Sequence, residues 1–195
     1  AGADMDIVTN DQYIGDQRLG EWYSKTRGGY ELDSFSLGYF LRDIGDFVEV
    51  LTIDLNGALD TVSAFLKSDI LQVRFDTEYT KMFDYYISQN KLNNLYDPYD
   101  LLSQWTEFDA DSMNKILLKC FQKEKVISVC LIDDDYIEHG KIILLTEHVM
   151  TLNDSEYLSG LKEEQNPNTT VRINNIMGID FLSKSNYMYE QYLRK

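Results

Sequence analysis

The stretch Met113-Asn114-Lys115-Ile116-Leu117-Leu118-Lys119-Cys120-Phe121, followed by Val126-Ile127-Ser128-Val129-Cys130-Leu131-Ile132 and then Lys141-Ile142-Ile143-Leu144-Leu145-Thr146-Glu147-His148-Val149, decides the fold class. In the first segment Met113, Ile116, Leu117, Cys120 and Phe121 recur with the 3.6-residue period of one helix face, and lysines gather late, where the helix dipole favours them. The spacing predicts a helix over about 109–123. The other two segments are apolar at alternate and at intervening positions, as strands covered on both faces are. They are expected to pair antiparallel as a central hairpin over about 126–149, joined by the acidic loop 133–140. A helix of one apolar stripe beside such a hairpin makes the chain α+β, with a mostly antiparallel sheet packed by amphipathic helices.

Outward from this centre the signals are weaker. Tyr79, Met82, Phe83, Tyr86 and Ile87 fit a second amphipathic helix, and Asp97-Pro98 opens a third carrying Leu101, Leu102, Trp105 and Phe108. Strands are expected over 47–55, closed by Asn56-Gly57, over 70–75 and over 170–174. Phe35, Leu37, Phe40, Leu41, Ile44 and Phe47 are spaced as in a helix, and a short helix is expected to follow residue 57 with Val62, Phe65 and Leu66 inward. Asn153 with Glu156 resembles a capping box for a helix to about 164, residues 165–169 read as a loop, and 183–193 as a final helix. Residues 11–34, which contain Gly15, Gly20, Gly28 and Gly29, read as irregular surface or short strands with turns. No internal repeat is evident. The four residues before Met5 read as an expression remnant, which leaves 5–195 as one domain.

The chain has 195 residues, 44% hydrophobic and 13% aromatic, enough apolar surface for one sizeable core. Its 33 acidic and 18 basic side chains give a net charge of −15. That charge opposes condensation on phosphate backbones or anionic lipid, so nucleic acid and membrane are not expected as direct partners. There is no signal-like start and no apolar run of about 18 residues, so a cytoplasmic location is expected. Cys120 and Cys130 lack both a disulfide framework and zinc-site spacing, and read as reduced core thiols.

The most chemical-looking stretch is Asp133-Asp134-Asp135-Tyr136-Ile137-Glu138-His139-Gly140-Lys141. An EF-hand register starting at Asp133 places Ile137 and Leu144 in ligand slots and Glu138 where glycine is needed, so it fails. The Glu-x-Lys pair of a metal-dependent nuclease is also out of register. No metal and no cofactor is therefore expected. His139 and His148 lack an HExxH frame and read as strand-end or surface histidines. No phosphate-binding glycine loop and no nucleophile elbow occurs, and no motif is long enough to carry a family resemblance.

What remains is a binding composition. Tyr13, Tyr23, Tyr30, Tyr85, Tyr96, Tyr136 and Tyr189 fall off the inferred core stripes, and tyrosine beside Asp and Glu supplies contact area at low entropic cost. The expectation is a cytoplasmic protein-binding module of the inhibitor, immunity or antidefence kind that occludes a basic surface of a partner protein, with Asp133, Asp134, Asp135, Tyr136 and Glu138 as partner-binding residues. Two alternatives stand beside it: a metal-dependent enzyme or small-ligand binder with carboxylates assembled from distant positions, and a structural subunit of a larger assembly.

Overall fold

The computed structural model describes residues 5–25, 34–132, 137–154 and 168–195. Their strands form one eleven-stranded antiparallel sheet. In chain order these are β1 (Asp6–Val8), β2 (Gly20–Ser24), β3 (Ser36–Ile44), β4 (Phe47–Ile53), β5 (Leu59–Leu66), β6 (Ile70–Phe75), β7 (Val126–Leu131), β8 (Ile137–Leu145), β9 (Val149–Asn153), β10 (Asn168–Arg172) and β11 (Ile176–Ser183). The helices among the described residues are α1 (Glu78–Leu92), α2 (Leu101–Phe108), α3 (Met113–Gln122) and α4 (Lys184–Leu193). An α+β chain with an antiparallel sheet is what the 109–149 stretch implied.

The strand order β1-β6-β2-β3-β4-β5-β11-β7-β8-β9-β10 contains the same motif twice. In β6-β2-β3-β4-β5 and again in β11-β7-β8-β9-β10, the last strand of the set pairs with the first. Each set has a 3₁₀ turn before its last strand, Lys67–Asp69 and Ile173–Asn175. These turns are anchored alike: Lys67 N donates to Asp46 O and Ile173 N to His148 O, both at 2.9 Å. Each last strand then runs into a helix with a hydroxyl cap, Thr77 accepting from Thr80 N and Ser183 from Asn186 N. An internal repeat is thus present where the sequence showed none. Its trace is Ile70-Leu71-Gln72-Val73-Arg74-Phe75 against Ile176-Met177-Gly178-Ile179-Asp180-Phe181, which match in kind at four apolar positions.

Burial on both faces explains the misread elements. Residues 36–44 and 59–66 are strands rather than helices, because β3 and β5 feed two cores at once. Leu37, Leu51, Val62 and Ala64 belong to a large core with Leu101, Phe108, Ile116, Leu117 and Phe181. Phe40, Val48, Val50 and Phe65 belong to a second core with Tyr13, Trp22, Val73 and Phe75. A strand apolar on both sides loses its two-residue alternation and mimics a helical run. Gly38 is required in β3 because a Cβ there would strike the Leu51 carbonyl. β2 is one of the short strands expected over 11–34, and it lies in the interior: Trp22 and Tyr23 are buried, and Trp22 Nε1 donates to Gly38 O at 3.1 Å.

The α1, α3 and α4 assignments stand with shifted ends. α2 begins three residues after Pro98, and the Asp97 carboxylate caps it by accepting from Leu101 N (2.8 Å) and Leu102 N (3.0 Å). The expected strand 141–149 is two strands, broken at Thr146-Glu147-His148, where Thr146 N donates to Val149 O at 2.9 Å. Strand β8 begins at Ile137, so Glu138, His139 and Gly140 belong to it rather than to a loop. The expected helix after Asn153, the 28–29 turn and most of the 165–169 loop lie outside the described residues.

Alternation along β7 assigns the two faces of the second half. Ile127 and Val129 enter the large core beneath α2 and α3. Ser128 points the other way, and Asn186 Nδ2 on α4 donates to its Oγ at 3.2 Å. α4 therefore covers the opposite face.

Candidate functional site

Asp133, Asp134, Asp135 and Tyr136 of the expected contact loop lie outside the described residues, and Glu138 is a half-buried residue of β8 paired in register with Val129. The described residues assemble polar chemistry elsewhere, beneath α4 and at the rim where the two halves of the sheet join.

Beneath α4 the register sets Val50, Ser63, Asp180, Ser128 and His139 side by side across five strands. Hydroxyls connect part of this row: Thr52 and Thr61 at 2.6 Å, Thr61 and Ser63 at 2.6 Å, and Ser63 donating to Asp180 at 2.6 Å. At the other end His139 Nδ1 lies 3.0 Å from Asp154 Oδ2 and Nε2 lies 2.9 Å from Asn186 Oδ1. Because Asn186 spends its amide nitrogen on Ser128, its oxygen is free to accept from Nε2, and Nδ1 then faces the Asp154 carboxyl. Asp154 is only 8% exposed and its Oδ1 has no hydrogen-bond partner among the described residues. Burial raises its carboxyl above the usual range, against the pull of His139.

Of the two readings of His139, strand-end or surface, the first fits: it lies near the start of β8, half-buried and packed on the Tyr189 ring at 5.6 Å. The Ser128 hydroxyl rests on Asn186 and not on the imidazole, so the serine, histidine and aspartate form a bracing network rather than a nucleophile with its base. The same helix buries Glu190, which binds Lys125 Nζ at 2.8 Å and the Val126 amide at 2.8 Å, while Lys125 also donates to Gln104.

At the rim, a cavity of about 250 Å³ opens between the start of β3, the β4–β5 turn, α1 and β11. One wall is aromatic and aliphatic: Phe35, Tyr79, Phe83, Leu37, Ile53 and Leu55. Its rings belong to a ladder, with centroids at 5.3 Å for Tyr23–Phe35, 5.1 Å for Phe35–Tyr79, 4.7 Å for Tyr79–Phe83 and 5.1 Å for Phe83–Tyr86. The opposite wall brings Asp54, Asp60 and Asp180.

These carboxylates differ in their circumstances. Asp54 closes the β4–β5 turn by accepting from the Asn56 amide (2.8 Å) and the Ala58 amide (3.0 Å), and it is ion-paired with Lys184. Burial works against its ionisation, but Lys184 and the two amides outweigh it and hold the carboxyl below the usual range. Asp180 takes the Ser63 hydroxyl. The Asp60 side chain accepts no hydrogen bond among the described residues. Burial, with Asp54 and Asp180 adding to it against Lys184, pushes its carboxyl up.

Three further features were weighed. A polar groove of about 850 Å³ is lined by Thr9, Asp11, Tyr13, Lys25, Asp46 and Lys67 among others, and its charges are mixed in sign. Glu49 is 1% exposed, accepts one hydrogen bond from Trp105 Nε1 (2.6 Å) and leaves Oε1 without a partner among the described residues, but it lines neither cavity. Among the described residues no three of His, Cys, Asp and Glu converge closely enough to hold a metal ion. None of their helices is long and apolar enough to cross a membrane.

Of the tyrosines read as surface contacts, Tyr13 and Tyr23 are core residues, Tyr96 and Tyr189 are half-buried, Tyr85 is exposed, and Tyr30 and Tyr136 lie outside the described residues. The sequence carried a signal for two of these acids. Glu49 in Val48-Glu49-Val50-Leu51 and Asp180 in Ile179-Asp180-Phe181-Leu182 are lone charges inside apolar strands, where a carboxylate needs a partner or a purpose. Asp60, after Ala58-Leu59 and before Thr61, had no such mark. No protein-family profile, curated protein or solved structure matches the chain.

Proposed function

We propose that this chain is a protein-binding module that docks on a basic surface of a partner protein and occludes it, as an inhibitor, immunity or antidefence protein would, in the reducing setting of the cytoplasm. The observation that carries the reading is the rim cavity. It sets an aspartate with no hydrogen-bond partner among the described residues against a wall of aromatic rings, on a chain of net charge −15. Such a wall offers dispersion and ring-face attraction to a cationic side chain, and the aspartate offers it a counter-charge. The surrounding negative field would raise the encounter rate with a basic partner. Exposed Leu55 at the cavity, with exposed Met82, Tyr85 and Tyr86 on α1, supplies the apolar contact area that a lasting complex needs. Asp133, Asp134, Asp135, Tyr136 and Glu138 are retained as a second acidic contact region.

The test is capture from host lysate at low salt, identification of what is retained, and association kinetics against ionic strength. The association rate should fall steeply towards ~0.15 M, where the screening length is about 8 Å, while the dissociation rate changes little. Charge reversal at Asp133, Asp134 and Asp135 should slow association further. An acidic partner, or binding indifferent to salt, would refute the mechanism.

A further inference from the structure

The rim cavity has the dimensions and chemistry for one side chain, and its parts discriminate among cations. A volume of about 250 Å³ is too small for a folded element and suits a single extended side chain. The Asp60 carboxylate offers acceptor capacity that no described residue uses, so the fitting cation must bring N–H donors, which a quaternary ammonium lacks. A metal ion would want several converging ligands, and among the described residues no three of His, Cys, Asp and Glu supply such a set. Between the two donor-bearing protein cations, the ring wall favours the planar, weakly hydrated guanidinium, which stacks on aromatic faces while forking onto a carboxylate. The chain already shows the first of these contacts at the end of the same ring ladder, where the Arg74 guanidinium lies 4.5 Å over Tyr23.

We infer that the cavity between Phe35, Tyr79 and Phe83 on one side and Asp60 on the other receives an arginine side chain of the partner protein, stacked on the rings and hydrogen-bonded to Asp60. This deepens the reading of the chain as a binder of basic surfaces and rests on it. Lys184 and Asp54 satisfy each other at the cavity edge, which leaves Asp60 to the incoming cation. Because burial resists ionisation of Asp60, arginine binding should be tighter at higher pH.

The probe is N-acetyl-arginine-N-methylamide, titrated into the full chain while methyl and amide resonances of Leu37, Ile53, Leu55 and Thr61 are followed by NMR. Saturable shifts confined to these residues are expected, with about tenfold or more weaker binding for the uncharged citrulline analogue and for Asp60→Asn. Asp60→Asn replaces a half-buried carboxylate by a neutral group of the same shape and should keep the wild-type spectrum. Tyr79→Leu, which removes a ring and leaves the charge, is the second variant and should also weaken binding. Equal response to citrulline, undiminished binding in both variants, a lysine analogue that binds as well as arginine, or no saturable shift at all would overturn the inference. The two readings fail separately. A basic partner whose salt-dependent affinity survives Asp60→Asn sinks the cavity and spares the binder, whereas arginine in the cavity with no basic partner does the reverse.

Discussion

Replacing Glu49 by glutamine should stabilise the protein at pH 8 and destabilise it by about 1–2 kcal/mol at pH 4, where the native carboxyl is already neutral and only the cost of the amide remains. Glu49 sits in β4 beneath Trp105, is 1% exposed, and has a single hydrogen-bond donor for its two oxygens among the described residues. Burial lifts its carboxyl from 4.5 to about 7, while the Trp105 indole and the Arg42 charge pull the other way. Because the folded-state value is raised, the native state holds the proton more tightly than the unfolded chain between these limits. Stability then falls as pH rises from about 4.5 to about 7 and is level above. At about 1.4 kcal/mol per pH unit the native state loses roughly 3 kcal/mol across that window to this one group. Glutamine keeps the acceptor for Trp105 and removes the charge, but its amide nitrogen meets the same unpartnered position as Oε1, which returns about 1 kcal/mol or more. A net gain of about 1–2 kcal/mol at pH 8 is expected. Urea unfolding of both proteins at pH 4, 6 and 8 measures it, and taking the difference cancels the other titrating groups. If the variant were no more stable at pH 8, or its advantage were the same at pH 4, the buried charge would not be the destabilising element claimed.

Two other perturbations test the fold. Lys125→Met should cost about 3–5 kcal/mol, because it strands the buried Glu190 carboxylate, and adding Glu190→Gln should restore much of that loss in a double-mutant cycle by urea unfolding. The Cys120 thiol, fully buried on α3 and pushed up by that burial, should react with a thiol reagent only at the rate of global unfolding, whereas half-buried Cys130 should react sooner.

How much of this was legible in the sequence depends on how many environments each element meets. α3 meets one: a core on one side and water on the other, so its apolar residues keep helical spacing and it could be located within a few residues. β7 meets a core on one face and a helix on the other, but Val126 to Leu131 is short and β-branched enough to read as a strand. β3 and β5 serve two cores and so lost their period. β11 was missed altogether, because Gly178 and Asp180 interrupt its apolar run. They do so for reasons invisible in one dimension, since Asp180 answers Ser63 on a strand more than a hundred residues away. The site suffered most. Among 33 acids nothing local separates Asp60 from the Asp133–Asp135 run. Only the fold brings Asp60 to a wall of rings and Asp154 to His139.

The repeat supplies a physical reason for where the polar chemistry lies. Two five-stranded sets with the same order can be fused only where the last-listed strand of one, β5, meets the first-listed strand of the other, β11, and that junction occurs once. Apart from the edge pair β1–β6, every other strand pair has a counterpart in the opposite half; the β5–β11 pair has none, so its residues are free of the constraint to build a repeated core. Ser63, Asp180 and Thr61 occupy it, and Asp60 lies at its rim. The two capped helices diverge in the same sense. After their caps, α1 turns Thr80, Phe83 and Ile87 inward, whereas α4 buries Asn186 and Glu190. Buried polar groups of that kind contribute little net stability, because each carries a desolvation cost that its hydrogen bonds merely offset. What they do is fix position: α4 can sit in only one register if Asn186 is to reach both Ser128 and His139 while Glu190 reaches Lys125. Lys184 begins that helix and reaches Asp54 at the cavity edge. The network under α4 therefore sets the placement of the ammonium that neutralises Asp54, and with it which aspartate of the rim is left for a partner.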